Sequence, residues 1–161
     1  MSSAAVRRAE PADVPAMLGL IRELASYERA LDEVRTTEAD LTAALFGPAP
    51  AVFAHVATAD ATVVGLALWF RSFSTWLGRH GVYLEDLFVA PAARGRGLGR
   101  ALLQALAREC VENGYGRLEW SVLDWNSPAH GFYRSLGATP MDEWTVWRLD
   151  GPDLPQLAGP A

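Results

Sequence analysis

Arg94-Gly95-Arg96-Gly97-Leu98-Gly99-Arg100 stands between a strand-like run, Val82 to Val89, and a helix-like run, Ala101 to Glu112. Strand, glycine-rich turn and helix in this order build an anion site. Glycine lets the backbone bend and approach a ligand closely, and the first amides of the helix point their N–H groups outward. Three arginines within these seven residues add positive charge in a chain whose net charge is −5. The stretch predicts a phosphate-bearing ligand at the mouth of an α/β fold.

The rest of the composition narrows the setting. A chain of 161 residues, half of them apolar, is expected to form one domain with a sizeable core. We read 1–161 as a single domain, with 5–150 as its core and 151–161 as a surface tail. No apolar run reaches the ~18 residues of a membrane span, and polar Met1 to Glu10 is followed by no signal-like apolar stretch. The net negative charge argues against nucleic acid as a partner. The one cysteine, Cys110, excludes an internal disulfide and fits a reducing cytoplasm, and its place in the helical pattern reads as packing. His55, His80 and His130 show no metal-ligand spacing, so no metal is expected.

Along the chain, Ala4 to Arg8 reads as a first strand. Pro11 and Asp13 suit a helix start, and Val14, Met17, Leu18, Ile21 and Leu24 recur at helical spacing up to about Ser26. Thr37 with Asp40 resembles a capping box, opening a second helix that Gly47-Pro48 ends. Val52 to Thr58 and Thr62 to Phe70 read as a hairpin, Arg71 to His80 as a loop, and Val82 to Val89 as the third core strand. Arg117 to Val122 is a strand, Pro128 to Leu136 a short helix closed by Gly137, and Trp144 to Leu149 a final strand. The class is mixed α/β.

Three phosphate sites compete for the turn. A P-loop ends in Gly-Lys-Ser/Thr, and all fourteen basic residues here are arginine. A dinucleotide fingerprint needs glycine where Arg100 stands, and its strand would not carry Glu85-Asp86 in its middle. The third is the pattern Gln/Arg-x-x-Gly-x-Gly/Ala, matched by Arg94, Gly97 and Gly99. Further segments agree with it. Tyr83-Leu84-Glu85-Asp86-Leu87-Phe88-Val89, Asp124-Trp125-Asn126, Phe132-Tyr133, Leu136-Gly137-Ala138 and Glu23-Leu24-Ala25-Ser26-Tyr27-Glu28 together resemble the GNAT superfamily of N-acetyltransferases. The nearest branch is that of the diamine (spermidine/spermine) and thialysine acetyltransferases. The resemblance implies the GNAT fold, a mixed and mostly antiparallel central sheet flanked by helices. It also implies acetyl-coenzyme A as cosubstrate, a small-molecule amine as acceptor, and a homodimer.

The chemistry moves an acetyl group from a thioester to an amine. The amides of Gly95, Arg96, Gly97, Leu98, Gly99 and Arg100 are expected to cradle the pyrophosphate, with Arg94, Arg96 and Arg100 adding charge. An alkylammonium with pKa ~10.4 costs roughly 4.6 kcal/mol to deprotonate at pH 7, so a carboxylate acceptor is needed. Glu85 and Asp86 are adjacent, so on a regular strand they face opposite ways unless a bulge intervenes. The resemblance selects Glu85 as substrate ligand and base, direct or through water, and leaves Asp86 a structural role. It selects Tyr133 as the acid toward the leaving sulfur. Asn126 is expected to cap the following helix and bond the pantetheine arm, and the backbone around Leu87, Phe88 and Val89 to pair with that arm.

Tyr27, Glu28, Glu85, Glu119, Trp120 and Ser121 make an acidic and aromatic lining suited to an alkylammonium. The sequence departs from the spermine-type pattern Tyr-Asp-Pro-Trp, having Phe73-Ser74-Thr75-Trp76 instead. Loss of that acid should weaken polyamine binding by ~1–3 kcal/mol. The expected acceptor is therefore a lysine analogue such as thialysine, or a short diamine. A peptide or protein N-acetyltransferase and a non-catalytic acetyl-coenzyme A sensor stay open beside it.

Overall fold

A computed structural model describes residues 3–161, which fall into two compact units divided between Leu123 and Asp124. The first unit is a five-stranded sheet in the order β1 (Ala4–Arg8), β2 (Val52–Ala59), β3 (Thr62–Ser74), β4 (Arg79–Val89) and β5 (Leu118–Trp120). The first four strands pair antiparallel and β5 joins β4 in parallel, giving the mixed, mostly antiparallel sheet expected.

Helix α1 (Val14–Tyr27) follows a single 3₁₀ turn at Pro11–Asp13. Asp13 ties that turn down. Its carboxylate accepts from the Glu10 amide at 2.8 Å and pairs with the Arg7 guanidinium at 2.7 Å, which holds the Asp13 carboxyl below its ordinary range. Helix α2 (Glu38–Phe46) starts on the expected capping box, with the Asp40 amide donating to Thr37 Oγ1 and the Thr37 amide to Asp40. Both helices cover one face of the sheet, where Val14, Met17, Leu18, Leu41 and Leu45 meet Val56, Leu66, Leu68 and Phe88. Met17 and Leu66 are fully buried, and each such side chain stabilises the fold by roughly 1.5–3 kcal/mol.

Helix α3 (Leu98–Asn113) covers the other face with Leu102, Leu106 and buried Cys110. Burial raises the Cys110 thiol pKa, in keeping with a packing role. A buried His55 lies on this face. It accepts from the Trp69 indole N–H at 3.2 Å, and burial lowers its pKa to about 4, so it is neutral at pH 7.

Two expectations are corrected. The segment read as a loop from Arg71 to His80 is mostly sheet: β3 runs to Ser74, β4 begins at Arg79, and only residues 75–78 turn. Cross-strand partners Arg71↔Val82 and Phe73↔His80 hold polar residues in strands that alternation alone could not mark. Trp144 to Leu149 is not a strand. No ladder of the five-stranded sheet includes it, and Val146 and Trp147 are 82% and 91% exposed. The tail contains a short exposed helix, α5 (Asp153–Ala158), after α4 (Ser127–Ser135) of the second unit.

Candidate active site

The turn before α3 has the backbone an anion site requires. Gly95 and Gly97 adopt φ of +79° and +75°, the left-handed region that costs other residues about 1–2 kcal/mol. A Cβ at either would meet nothing within 4 Å, so conformation and not crowding demands glycine here. Gly97 occupies the N-cap of α3 and supplies no side-chain cap, leaving the first-turn amides for another acceptor. Arg96 and Arg100 are exposed beside them. Arg94 is differently engaged. Its Nε–H donates to the Val89 carbonyl at 3.0 Å and its guanidinium lies over the Phe88 ring, tying the turn to β4.

β4 pairs with β5 over only three positions, Val82↔Leu118, Tyr83↔Glu119 and Leu84↔Trp120. From Glu85 to Val89, no strand ladder among the described residues occupies that edge. On the opposite edge the Ala90 amide donates to Val64 of β3. The Val89 carbonyl, one residue earlier, therefore faces the free edge, as its bond from Arg94 shows, and Leu87 shares that direction two residues away. The Phe88 side chain is buried in the core and its backbone, one residue from Val89, faces β3, so the expectation that Phe88 pairs with the arm passes to Leu87 and Val89. These features fit a long ligand carrying phosphates at one end and amide groups along its arm, as acetyl-coenzyme A does.

The acidic pair Glu85-Asp86 is organised by a register shift. Leu84 stands opposite Trp69 and Asp86 opposite Leu68, so Glu85 is an extra residue, a β-bulge. The bulge reverses the alternation. Asp86 shares the α1 face with Leu68 and Phe88, where a regular strand would have turned it to the α3 face. The expected structural partner for Asp86 is absent: among the described residues no hydrogen bond or ion pair to its carboxylate is formed. Its pKa is pushed up to about 6 by burial first, then by the negative charges of Glu85 and Glu28. Glu28, the C-cap residue of α1, is raised by burial and by Glu85. Glu28, Glu85 and Asp86 thus form one electrostatic cluster on the α1 face. Sequence reasoning leaves Asp86 outside this cluster. The only signal in the sequence was an acidic pair inside an apolar strand, which a bulge explains and strict alternation does not.

The other residues expected to line the acceptor site do not all share this face. Tyr83 lies on the same face, its ring 5.1 Å from that of Phe70, and its hydroxyl shares a 2.7 Å hydrogen bond with Ser121. Glu119 stands beside Tyr83 in register and pairs with Arg117 at 3.2 Å. Tyr27 ends α1, half exposed, whereas Trp120, half-buried and in register with Leu84, is turned to the α3 face and away from the acidic cluster, unlike the expected lining. Ser74 is buried and accepts from the Leu77 amide at 3.2 Å, so it shapes the hairpin turn.

In the second unit, Asn126 holds the N-cap position of α4. Its side chain makes no capping bond, contrary to expectation, and its carbonyl accepts from Ala129 and His130 instead. Tyr133 lies on α4 with its ring 5.4 Å from that of Phe132, and Gly137 ends the helix at φ +91°. Among the described residues, no helix is long and apolar enough to cross a membrane, and no group of three His, Cys, Asp or Glu side chains is placed to hold a metal ion.

Comparison with known proteins agrees with this geometry. The chain is 37% identical to the thialysine N-epsilon-acetyltransferase of Bos taurus, covering 99% of both chains. It is 30% identical to an L-ornithine N5-acetyltransferase of Arabidopsis thaliana, covering 92% of this chain and 85% of that one. Among solved structures, an integron cassette protein from the mobile metagenome of V. cholerae superposes with a TM-score of 0.81 at 29% identity, covering 97% and 98% of the two chains. An aminoglycoside acetyltransferase from a soil metagenomic sample shares the fold, with a TM-score of 0.76 at 19% identity over 91% of this chain and 95% of that one. The model of the acetyltransferase (GNAT) family, whose members use acetyl-coenzyme A as cosubstrate, matches residues 17–138. The chain belongs to the acetyltransferase (GNAT) family and is an acetyltransferase.

Proposed function

We propose that this enzyme acetylates the terminal primary amine of a small molecule, either a lysine analogue such as thialysine or a short diamine. The observation that carries the reading is the Glu85 bulge, which gathers Glu28, Glu85 and Asp86 on one face of β4. Three carboxylates crowded together repel one another, and a cationic amine relieves that repulsion. The names of the thialysine and ornithine enzymes similar to this chain point to the same class of acceptor.

When bound, acetyl-coenzyme A supplies an acetyl group activated as a thioester. The amides of 95–100 would hold its pyrophosphate, with charge from Arg96 and Arg100, while the backbone of Leu87 and Val89 would hold its arm. Glu28 and Asp86 bind the ammonium form of the acceptor. Glu85 receives the ammonium proton on a carboxylate oxygen, directly or through water, so that the neutral amine can attack. Tyr133 carries a donatable proton at its phenolic Oη for the departing sulfur, and Asn126 bonds the pantetheine arm. These last two roles rest on the sequence motif. We further propose a homodimer, supported by the exposed Trp144 and Trp147 and testable by sedimentation.

A thiol-release assay with thialysine, lysine, putrescine and spermidine tests the reading. Glu85→Gln and Tyr133→Phe should each lower kcat by ~10²–10⁴-fold, the usual contribution of one proton-transfer group. Unchanged kcat/KM in both variants refutes the assignments, and spermidine as best substrate refutes the acceptor preference. Binding of acetyl-coenzyme A without turnover on any amine would mark a sensor domain instead.

A further inference from the structure

The α1 face of the sheet continues past the acidic cluster. Tyr83 precedes the bulged Glu85 by two residues, and Glu119 of β5 lies beside Tyr83 in register. Two residues of strand place that level about 6–7 Å from Glu85, comparable to the reach of an extended lysine side chain. Arg117 precedes Glu119 by two residues, so it lies on the same face one step further along. Its Nε lies 3.2 Å from a Glu119 carboxylate oxygen as an ion pair, while both side chains stay open to solvent at 44% and 40% exposure. Beside Glu119, at the same level of the sheet, lie the tilted rings of Tyr83 and Phe70, an apolar floor anchored by the Tyr83–Ser121 hydrogen bond.

The surface therefore presents three neighbouring zones: three carboxylates, an aromatic floor about two residues along β4, and one guanidinium with one carboxylate on the adjacent strand flanking that floor. We infer that Arg117 and Glu119 are specificity-determining residues that read the head of an α-amino acid acceptor. This rests on the proposed acetylation of a terminal amine. The terminal ammonium sits at Glu28, Glu85 and Asp86, and the aliphatic arm lies over Tyr83. The α-carboxylate binds Arg117 and the α-ammonium binds Glu119, so that the zwitterionic head joins the existing ion pair with both charges matched. A diamine offers nothing to Arg117. The pair therefore favours an amino acid over its decarboxylated counterpart, and an acceptor whose α-amine is blocked loses the contact with Glu119.

The test compares lysine and thialysine with their decarboxylated counterparts in steady-state assays on the full chain. Arg117→Gln should raise KM for the amino acids at least 10-fold, leave their kcat within twofold, and lower the amino-acid to diamine ratio of kcat/KM by at least 10-fold. Arg117→Lys should restore part of that ratio. Glu119→Gln should raise KM for lysine while abolishing the penalty for blocking its α-amine. A change in Arg117→Gln that is equal for lysine and its diamine, or a fall in kcat alone, overturns the inference. A wild-type enzyme that acetylates none of these amines defeats the underlying function, whereas one that acetylates both classes indifferently defeats only this assignment. Melting temperatures within a few degrees of wild type confirm that the variants are folded.

Discussion

Asp86→Asn should make the protein more stable and less active at neutral pH. The Asp86 carboxyl is pushed up to about 6 from 3.8 by burial and by the charges of Glu85 and Glu28. Its folded pKa lies above its unfolded value, so the native state holds the proton more tightly than the unfolded chain. Stability contributed by that carboxyl is fully present below pH ~4, falls as pH rises through ~6, and stays lost above it. The difference of about 2 pKa units corresponds to roughly 3 kcal/mol. Asparagine keeps the shape and removes the charge, so at pH 7.5 the variant should gain up to ~3 kcal/mol. For a chain of this size that is a rise in Tm of roughly 6–12 °C. At pH 4 the gap should close. Thermal melts of both proteins across pH 4–8 measure this directly. The same variant should show a KM for its amine raised ~10–100-fold, since a charged hydrogen-bond partner of the ammonium is lost. A Tm at pH 7.5 equal to or below wild type, or a gain that does not change with pH, would refute the account of Asp86 as a desolvated acid among like charges.

Three further outcomes follow from the same geometry. Gly97→Ala must hold φ near +75° with a Cβ, which should cost about 1–2 kcal/mol and raise KM for acetyl-coenzyme A, read by denaturant melts and steady-state kinetics. Thr37→Ala removes the capping box of α2 and should lower stability by ~0.5–2 kcal/mol without changing kcat/KM, which urea unfolding alongside the thiol assay would show. In wild type, kcat/KM should fall on acidification through pH ~6 as Asp86 gains its proton and the site loses an anion. In Asp86→Asn that limb should be missing from the pH–rate profile.

Much of the molecule follows from local chemistry. The spacing of Val14, Met17 and Leu18 determined α1, the Thr37–Asp40 pair started α2, and two positive-φ glycines shaped the turn before α3. Each depends on residues within a turn or two of one another, so each is readable in order along the chain. The turn also identifies the class of ligand, because backbone amides at a helix start act through their own geometry. What the tertiary structure decided is everything that depends on a distant partner. Strand β3 extends to Ser74 because β4 stands opposite it, while Trp144 to Leu149 has the composition of a strand and no place in a ladder. The acidic pair shows the difference most clearly. Glu85 and Asp86 are neighbours in any reading, but only the register of β4 against Leu68 and Trp69 makes Glu85 a bulge and turns Asp86 to the face that Glu28 reaches. Side-chain alternation is a local rule, whereas register is set by the partner strand, and one unpaired residue reverses every side chain beyond it.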